Sequence, residues 1–261
     1  MSHSSLKNKI DTEGEVKIIN GYALRRATTN DVDQVCQIEK EAFKNTGTPT
    51  FTVEQVSAWL EVNPQGFWVA EKGAQVVGFS YFQLIKFDLT RISGLRSFNQ
   101  VTDDGYTRKS HDPAGKTIFG LTLDSIDPGA GLVIGVFLIN YFIRHNFQYI
   151  MGTSRVPGFA GYLEGVKKNN CFAEISSELE AEIALWYALE SAIMVKGKIS
   201  STMPPKPNLS LPPLEKPDPL LAYYLAIPGS GLYAFLPDFI HDPPSRDFAF
   251  LTLIENPGYR A

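Results

Sequence analysis

The hydrophobic positions along the chain switch between the two-residue period of strands and the spacing of helices. Residues 22–27 alternate in the manner of a strand. After a set of capping side chains, helical spacing brings four apolar residues to one face: Val32, Val35, Ile38 and Ala42. Thr52 and Gln55 form a capping box ahead of a second short helix, and two strand runs, 67–70 and 75–82, follow as a hairpin. The predicted opening order is therefore β-α-α-β-β.

The centre of the chain combines a strand, a glycine-bearing turn and a helix. An apolar run at 117–123 is followed by a turn with Gly129 and Gly131, and a nearly uncharged helix is predicted to begin near Leu132. Because residues 148–152 form another strand run, this helix is predicted to connect two neighbouring parallel strands. A helix start exposes backbone N–H groups that lack partners, so the junction can hold a phosphate-bearing ligand, although glycine-rich turns also serve packing alone.

Two irregular segments interrupt this order without dividing the chain. Residues 87–116 are polar and rich in turn residues, and residues 196–219 hold too many prolines for a helix or a central strand. The remaining runs predict a helix, a small helix capped by Asp218, and two closing strands: 178–196, 218–225, 231–236 and 248–254. We predict a mobile tail at residues 1–18 and one domain at 19–261 with the proline-rich loop inside it.

Composition and charge exclude several classes of function. With 261 residues and 44% hydrophobic content, the chain can bury a large core, and a net charge of -4 gives no electrostatic reason to bind nucleic acid or an acidic membrane. No apolar window reaches the length of a membrane span, and the amino terminus lacks the apolar core of a signal peptide. Only Cys36 and Cys171 are present, and the histidines lack ligand spacing. These features predict a cytoplasmic protein without a metal site.

Four short motifs add a resemblance to a known superfamily. They are TDDGY at 102–106, HDPAG at 111–115, SRVPGFAGY at 154–162 and DPLL at 218–221. In this order, and with these strands and helices, the chain resembles the GNAT acyltransferase superfamily, most narrowly the GNAT modules that are fused to carbon-nitrogen hydrolase domains. The resemblance implies a mixed α/β fold whose mostly antiparallel sheet is splayed between its fourth and fifth strands, where the pantetheine arm of an acyl coenzyme A enters.

The pyrophosphate loop of that superfamily is altered in this sequence. Its usual pattern is Gln or Arg, two residues, Gly, one residue, and Gly or Ala, and these positions fall on Gly131, Ile134 and Val136; a shift by one recovers only Gly135. The charged residue is lost in both alignments. The resemblance still implies acetyl-CoA or another acyl-CoA as co-substrate, held by seven residues: Ser125, Ile126, Gly131, Leu132, Val133, Ile134 and Gly135.

Three side chains are candidates for the chemistry that the resemblance implies, in which an amine attacks a thioester, a carboxylate accepts a proton and a tyrosine protonates the thiolate. Asp124 lies near the end of the fourth strand, where a base would sit; the alternative is a solvated strand residue. Tyr162 follows the fifth strand, at the place of the tyrosine acid, or is a half-buried tyrosine with its hydroxyl at the surface. Arg155 can bind a substrate carboxylate or a coenzyme phosphate, or form an ion pair across its loop.

The predicted function is therefore an acyl-CoA-dependent N-acyltransferase that acetylates a small-molecule amine. The predicted partners include neither nucleic acid nor a membrane, and an oligomer is possible. Two alternatives stay open. One is a non-catalytic GNAT-like module that binds a ligand or partner and has an eroded pyrophosphate loop. The other is thioester chemistry without amine transfer, such as decarboxylation of an acyl thioester.

Overall fold

The structure is a computed structural model that describes residues 17–197 and 204–260. In this part of the chain, eight strands form one sheet: β1 (Lys17–Ile19), β2 (Tyr22–Arg26), β3 (Phe67–Lys72), β4 (Gln75–Ile85), β5 (Thr117–Ser125), β6 (Tyr149–Arg155), β7 (Ser230–Leu236) and β8 (Ala249–Glu255). Seven α-helices cover it: α1 (Val32–Ala42), α2 (Val53–Val62), α3 (Phe98–Thr102), α4 (Pro128–Arg144), α5 (Phe159–Asn170), α6 (Ser177–Lys196) and α7 (Pro219–Leu225).

The described ranges include only parts of the predicted tail and of the predicted proline-rich loop. Most of the tail predicted at 1–18 lies outside the described residues, but Lys17 and Ile18 belong to β1, a strand that the sequence did not predict. Residues 198–203 of the proline-rich loop are also outside the described residues. The loop was predicted at 196–219, but Lys196 is the last residue of α6 and Pro219 is the first of α7. Residues 204–218 contain neither helix nor strand.

The sheet is mixed and mostly antiparallel, as predicted. Its strand order is β1-β2-β3-β4-β5-β6-β8-β7, and every neighbouring pair is antiparallel except β5 and β6. Helix α4 supplies the predicted crossover between these two parallel strands. The predicted elements form where apolar residues recur with the period of a strand or a helix. The predicted capping box of Thr52 and Gln55 is present at the start of α2.

Helices cover both faces of the sheet. On one face, α1 and α2 pack on β3 and β4, where the rings of Trp59 and Tyr81 stack with centroids 4.5 Å apart. On the other face, α4 packs through Phe137 against Trp68, with ring centroids 4.4 Å apart. Helices α5, α6 and α7 share a further buried cluster with Phe250 of β8. The sheet is thus the middle layer of three.

The predicted opening of the sheet lies between β5 and β6. The two strands pair only from Thr117 opposite Tyr149 to Phe119 opposite Met151, although both continue for several residues. Beyond this point β5 still pairs with β4 and β6 still pairs with β8, so the gap lies within the sheet. Leu121 has no partner on β4, because the β5 register jumps there in a bulge. Because β1 precedes the predicted strands, the fourth and fifth predicted strands are β5 and β6.

Helix α4 begins earlier than predicted. The sequence places its start near Leu132, but the helix begins at Pro128 and is capped by the Asp127 side chain, which accepts a hydrogen bond from the Gly129 N–H (2.9 Å). Proline fits the first helical position because its missing N–H needs no partner there. Residues 131–135 therefore lie inside the helix, where backbone N–H groups bond to carbonyls four residues earlier.

Candidate active site

Two cavities lie on opposite faces of the sheet and share walls at the gap between β5 and β6. The larger, of about 520 Å³, lies on the side of α1 and α3; the smaller, of about 90 Å³, lies on the side of α4 and α7. We call them the basin and the slot. Thr122, Leu123 and Tyr224 line both. Side chains alternate along β5 after its bulge, so Thr122 and Asp124 lie on the basin side and Leu123 lies on the slot side. The bulge at Leu121 resets this alternation and leaves Gly120 at the slot. A ligand held in the gap would have access to both cavities.

Two carboxyl groups meet in the basin. Asp124 comes from β5, and Glu39 comes from the buried face of α1. Glu39 is only 2% exposed, and its Oε2 has no hydrogen-bond partner. Burial raises the pKa of Glu39 well above its usual value, and the nearby charge of Asp124 raises it further. Asp124 is fixed by the Thr122 hydroxyl, which donates to its Oδ2. The pair is therefore a proton-holding site at the mouth of the gap.

Arg155 also lines the basin, but its charge is already matched. Its Nη1 donates to Oδ1 of Asp242 (3.1 Å), a carboxylate that is almost fully buried. The guanidinium lies over the Phe43 ring, 4.4 Å from its centroid. Asp242 is held in turn by the Thr48 hydroxyl (2.7 Å). The ion-pair alternative for Arg155 is thus realised, and the arginine is fixed at the basin wall.

The tyrosine that reaches both cavities is Tyr224, not Tyr162. Tyr162 lies on α5, its hydroxyl donates to the Pro212 carbonyl (3.1 Å), and its ring packs 5.0 Å from that of Tyr187. It is not part of either cavity wall. Tyr224 lies on α7 at the gap, and burial raises its pKa to about 12. The sequence did not single out Tyr224, although the Asp-Pro motif that starts α7 is the signal that could have located it.

Asp218 explains how α7 is held at the gap. Its Oδ1 accepts hydrogen bonds from the Leu220 and Leu221 N–H groups at the helix start (3.1 and 3.2 Å). Its Oδ2 accepts from the Gly158 N–H (2.9 Å) and the Tyr187 hydroxyl (3.1 Å). The 154–162 motif and the 218–221 motif therefore meet in space. Their joint role is to place α7, and with it Tyr224.

The two earlier motifs fix the 87–116 excursion over the basin. The Gly105 carbonyl accepts from Trp59 Nε1 (2.7 Å), and the Asp104 carbonyl accepts from Gln55 Nε2 (2.6 Å). Asp104 and Gly105 both line the basin. His111 Nδ1 accepts from the Leu84 N–H (3.1 Å), which ties the HDPAG turn to the end of β4. The first motif thus forms part of the basin wall, and the second anchors the same excursion to β4.

Comparison with known structures identifies the fold. No protein-family profile and no curated protein matches the sequence. Among solved structures, the GphF GNAT-like decarboxylase in complex with isobutyryl-CoA matches with a TM-score of 0.58 at 17% identity, over 89% of this chain and 98% of that one. The loading GNATL domain of CurA from Lyngbya majuscula matches with a TM-score of 0.58 at 15% identity, over 90% and 98%. The fold is GNAT-like. At these identities the likeness extends to the fold alone.

In this GNAT-like chain the amino-terminal end of α4 is occupied by a carboxylate. Oδ1 of Asp127 accepts from the Tyr22 hydroxyl (2.6 Å) and Oδ2 accepts from Lys72 Nζ (2.8 Å), in addition to the Gly129 bond. These partners, first of all Lys72, lower the pKa of Asp127 to about 2, so it is charged at neutral pH. This carboxylate offsets the positive end of the helix dipole. An incoming diphosphate would meet this negative charge.

The seven predicted cofactor residues are only partly at the cavities. Gly135 lines the slot, whereas the other six stand outside both cavity walls. The Ile126 N–H donates to the Val77 carbonyl (3.0 Å), so this donor is already used. The Tyr223 hydroxyl donates to the Gly131 carbonyl (3.3 Å), and a Cβ at Gly135 would stand 2.5 Å from the same hydroxyl. Gly135 therefore allows α7 to pack closely on α4, and the Gly131 carbonyl anchors Tyr223 there.

Within 17–197 and 204–260, no group of three or more His, Cys, Asp or Glu side chains is arranged to hold a metal ion. None of the helices in the same ranges has the length and apolar content needed to span a membrane.

Proposed function

We propose that the protein is an acyl-CoA-dependent N-acyltransferase that transfers an acyl group, such as the acetyl group of acetyl-CoA, to a small amine. The observation that carries the proposal is the meeting of three groups at the sheet gap: the Glu39 and Asp124 carboxyls on the basin side and the Tyr224 hydroxyl at the junction with the slot. A carboxylate and a tyrosine on opposite sides of a thioester are the groups that amine acylation needs.

The acyl thioester would lie in the gap, with its carbonyl oxygen near the β5 backbone that has no β6 partner. A primary amine is an ammonium ion at neutral pH, so the nitrogen loses one proton before it attacks and one after the C–N bond forms. Both protons leave through the Asp124 carboxylate to solvent. As the C–S bond breaks, the thiolate takes a proton from Tyr224, which regains one from water. The products are an amide, a free thiol and one released proton.

Tyrosine variants test the catalytic assignment. Tyr224→Phe should lower kcat by about 100-fold with little change in acyl-CoA affinity, because only the proton donor is lost. Tyr162→Phe tests the assignment made from the sequence, and Tyr233→Phe, an exposed tyrosine on β7, is the matched control that should leave kcat unchanged. Steady-state kinetics with acetyl-CoA and a panel of amines provide the measurement. A loss confined to Tyr162→Phe would move the acid to α5 and remove Tyr224 from the mechanism.

The non-catalytic alternative is favoured by one specific observation, the Asp127 carboxylate at the start of α4. A ligand that binds only the folded state stabilises it, by about 2.7 kcal/mol when present at 100 times its Kd. Millimolar acetyl-CoA should therefore raise the melting temperature if the transferase proposal is right. An unchanged melting temperature would favour a GNAT-like binding module that has lost its coenzyme.

A further inference from the structure

The basin is rich in carboxyl groups that its one arginine cannot offset. Four of the side chains that line it are acidic: Glu39, Asp104, Asp124 and Asp238. Arg155 is the cationic side chain in the same wall, and Asp242 already pairs with it at 3.1 Å. His241 lies at the rim, next to Asp247 (3.2 Å). Glu39 contributes least to this charge because its raised pKa favours the neutral form, but the other three acidic side chains still outnumber Arg155. The basin therefore has a negative potential, which favours a cationic occupant.

Glu39 adds an independent sign of an absent ligand. It is almost fully buried and lines the basin, yet its Oε2 lacks a hydrogen-bond partner. The contact between Glu39 and its carboxyl neighbour Asp124 becomes a hydrogen bond only when one of the two groups carries a proton, because an ionised carboxylate has no donor. Buried polar atoms in native proteins nearly always have a partner. A donor that enters the basin with a positive charge would satisfy Oε2 and relieve the repulsion between the two carboxyl groups.

Aromatic rings also line the basin, beside polar side chains such as Gln55 and Asn99. The rings are Phe43, Phe51, Phe98 and Phe239. Aromatic rings accept both apolar bodies and cations, and the Arg155 guanidinium already lies over one of them at 4.4 Å. A volume of about 520 Å³ is within the range of small-molecule sites. The wall can therefore enclose the body of a small organic molecule while the carboxyl groups bind its charged end.

We propose that the basin binds a small primary amine as its ammonium ion, with an apolar or aromatic body, and disfavours acceptors that carry a carboxylate. The ammonium group would lie at Glu39 and Asp124 and the body against the phenylalanine rings. Arg155 does not recruit a carboxylate because Asp242 holds it. Naming this amine as the acyl acceptor rests on the transferase function proposed above, but the preference for a cation does not.

The test compares three probes of one shape. 2-Phenylethylamine, 2-phenylethanol and 3-phenylpropionate differ mainly in charge, and calorimetric titration at pH 7.5 without acyl-CoA measures each Kd. The amine should bind at least about tenfold more tightly than either analogue, since neither of them can form the charge-assisted hydrogen bonds of an ammonium group. Equal affinities, tightest binding of 3-phenylpropionate, or no binding of the amine would overturn the proposal.

Variants link the preference to the basin. Glu39→Gln and Asp238→Asn should each weaken amine binding, and Asp238, which is exposed at the rim, can be replaced without disturbing the core. Glu61→Gln, an exposed carboxyl that pairs with Arg108 outside the basin, is the control. Amine affinity unchanged in both basin variants would overturn the proposal.

Acetyl-CoA titrated into the same samples separates the two claims. Acetyl-CoA binding with no amine preference would reject the cationic basin and leave the transferase function in place. The amine preference without acetyl-CoA binding would support the basin and reject the transferase function.

Discussion

At the residue scale, the site depends on a buried carboxyl, Glu39, that lies beside a second carboxyl, Asp124. Asp124 was found because its place at the end of a strand is a local property. Glu39 does lie at helical spacing from Val35 and Ala42, on the apolar face of α1, whereas Glu41 is exposed. That spacing indicates burial but does not indicate which group it meets. Only the packing of α1 against β5 makes Glu39 a buried group beside another carboxyl. The same reasoning applies to Tyr224, whose position depends on contacts of α7 with distant motifs.

The raised pKa of Glu39 predicts a pH-dependent cost to stability. A carboxyl whose pKa is higher in the folded state binds more protons there, so its favourable contribution is complete below the unfolded pKa, about 4.3, and is lost as pH rises through the folded value. Glu39→Gln carries no charge at any pH. Its free energy of unfolding relative to wild type should therefore increase between pH 5 and pH 8, as measured by urea denaturation. Glu41→Gln is the control. A Glu39→Gln difference that does not vary with pH would contradict the raised pKa.

At the element scale, the hydrophobic periods predicted the order of the major elements because such patterns are local. The start of α4 was wrong for an equally local reason. Asp127 followed by Pro128 is a helix-start signal, and α4 begins there. The prediction of a start near Leu132 instead followed the glycines at 129 and 131. This shift matters for function. The free donors predicted at 131–135 lie within a helix, and the true amino-terminal end is capped by a carboxylate.

Asp127 predicts a specific effect on coenzyme binding. Asp127→Asn keeps a capping oxygen but removes the negative charge, so a diphosphate at this helix end should bind roughly threefold to tenfold more tightly. Calorimetry with coenzyme A measures the change, and pantetheine, which lacks phosphates, should show none. Asp112→Asn, which removes a similar aspartate paired with Lys86, is the matched control. If Asp127→Asn leaves the affinity for coenzyme A unchanged, the phosphates of the coenzyme contact another part of the surface.

At the scale of the whole molecule, the gap between β5 and β6 is the feature that relates fold to function. Its presence followed from the resemblance to the GNAT superfamily, but the slot on its α4 side depends on Gly120, Gly135 and Gly152, whose spacing in sequence carries no such signal. A Cβ added at Gly152 would have Thr252 Oγ1 and Tyr224 Cε1 as its nearest atoms, each 3.7 Å away. The slot can therefore be filled without a clash at the first carbon.

Gly152→Val should separate ligand binding from stability. Valine suits a strand and fills part of the slot of about 90 Å³, so the free energy of unfolding should stay equal or rise slightly. The rise in melting temperature that acetyl-CoA produces in the wild type should be lost, because the pantetheine arm has no space in the gap. Gly161→Ala, on α5 where a Cβ meets no atom within 4 Å, should keep that rise. If Gly152→Val responds to acetyl-CoA as the wild type does, the thioester arm does not pass between β5 and β6, and the transferase proposal loses its structural basis.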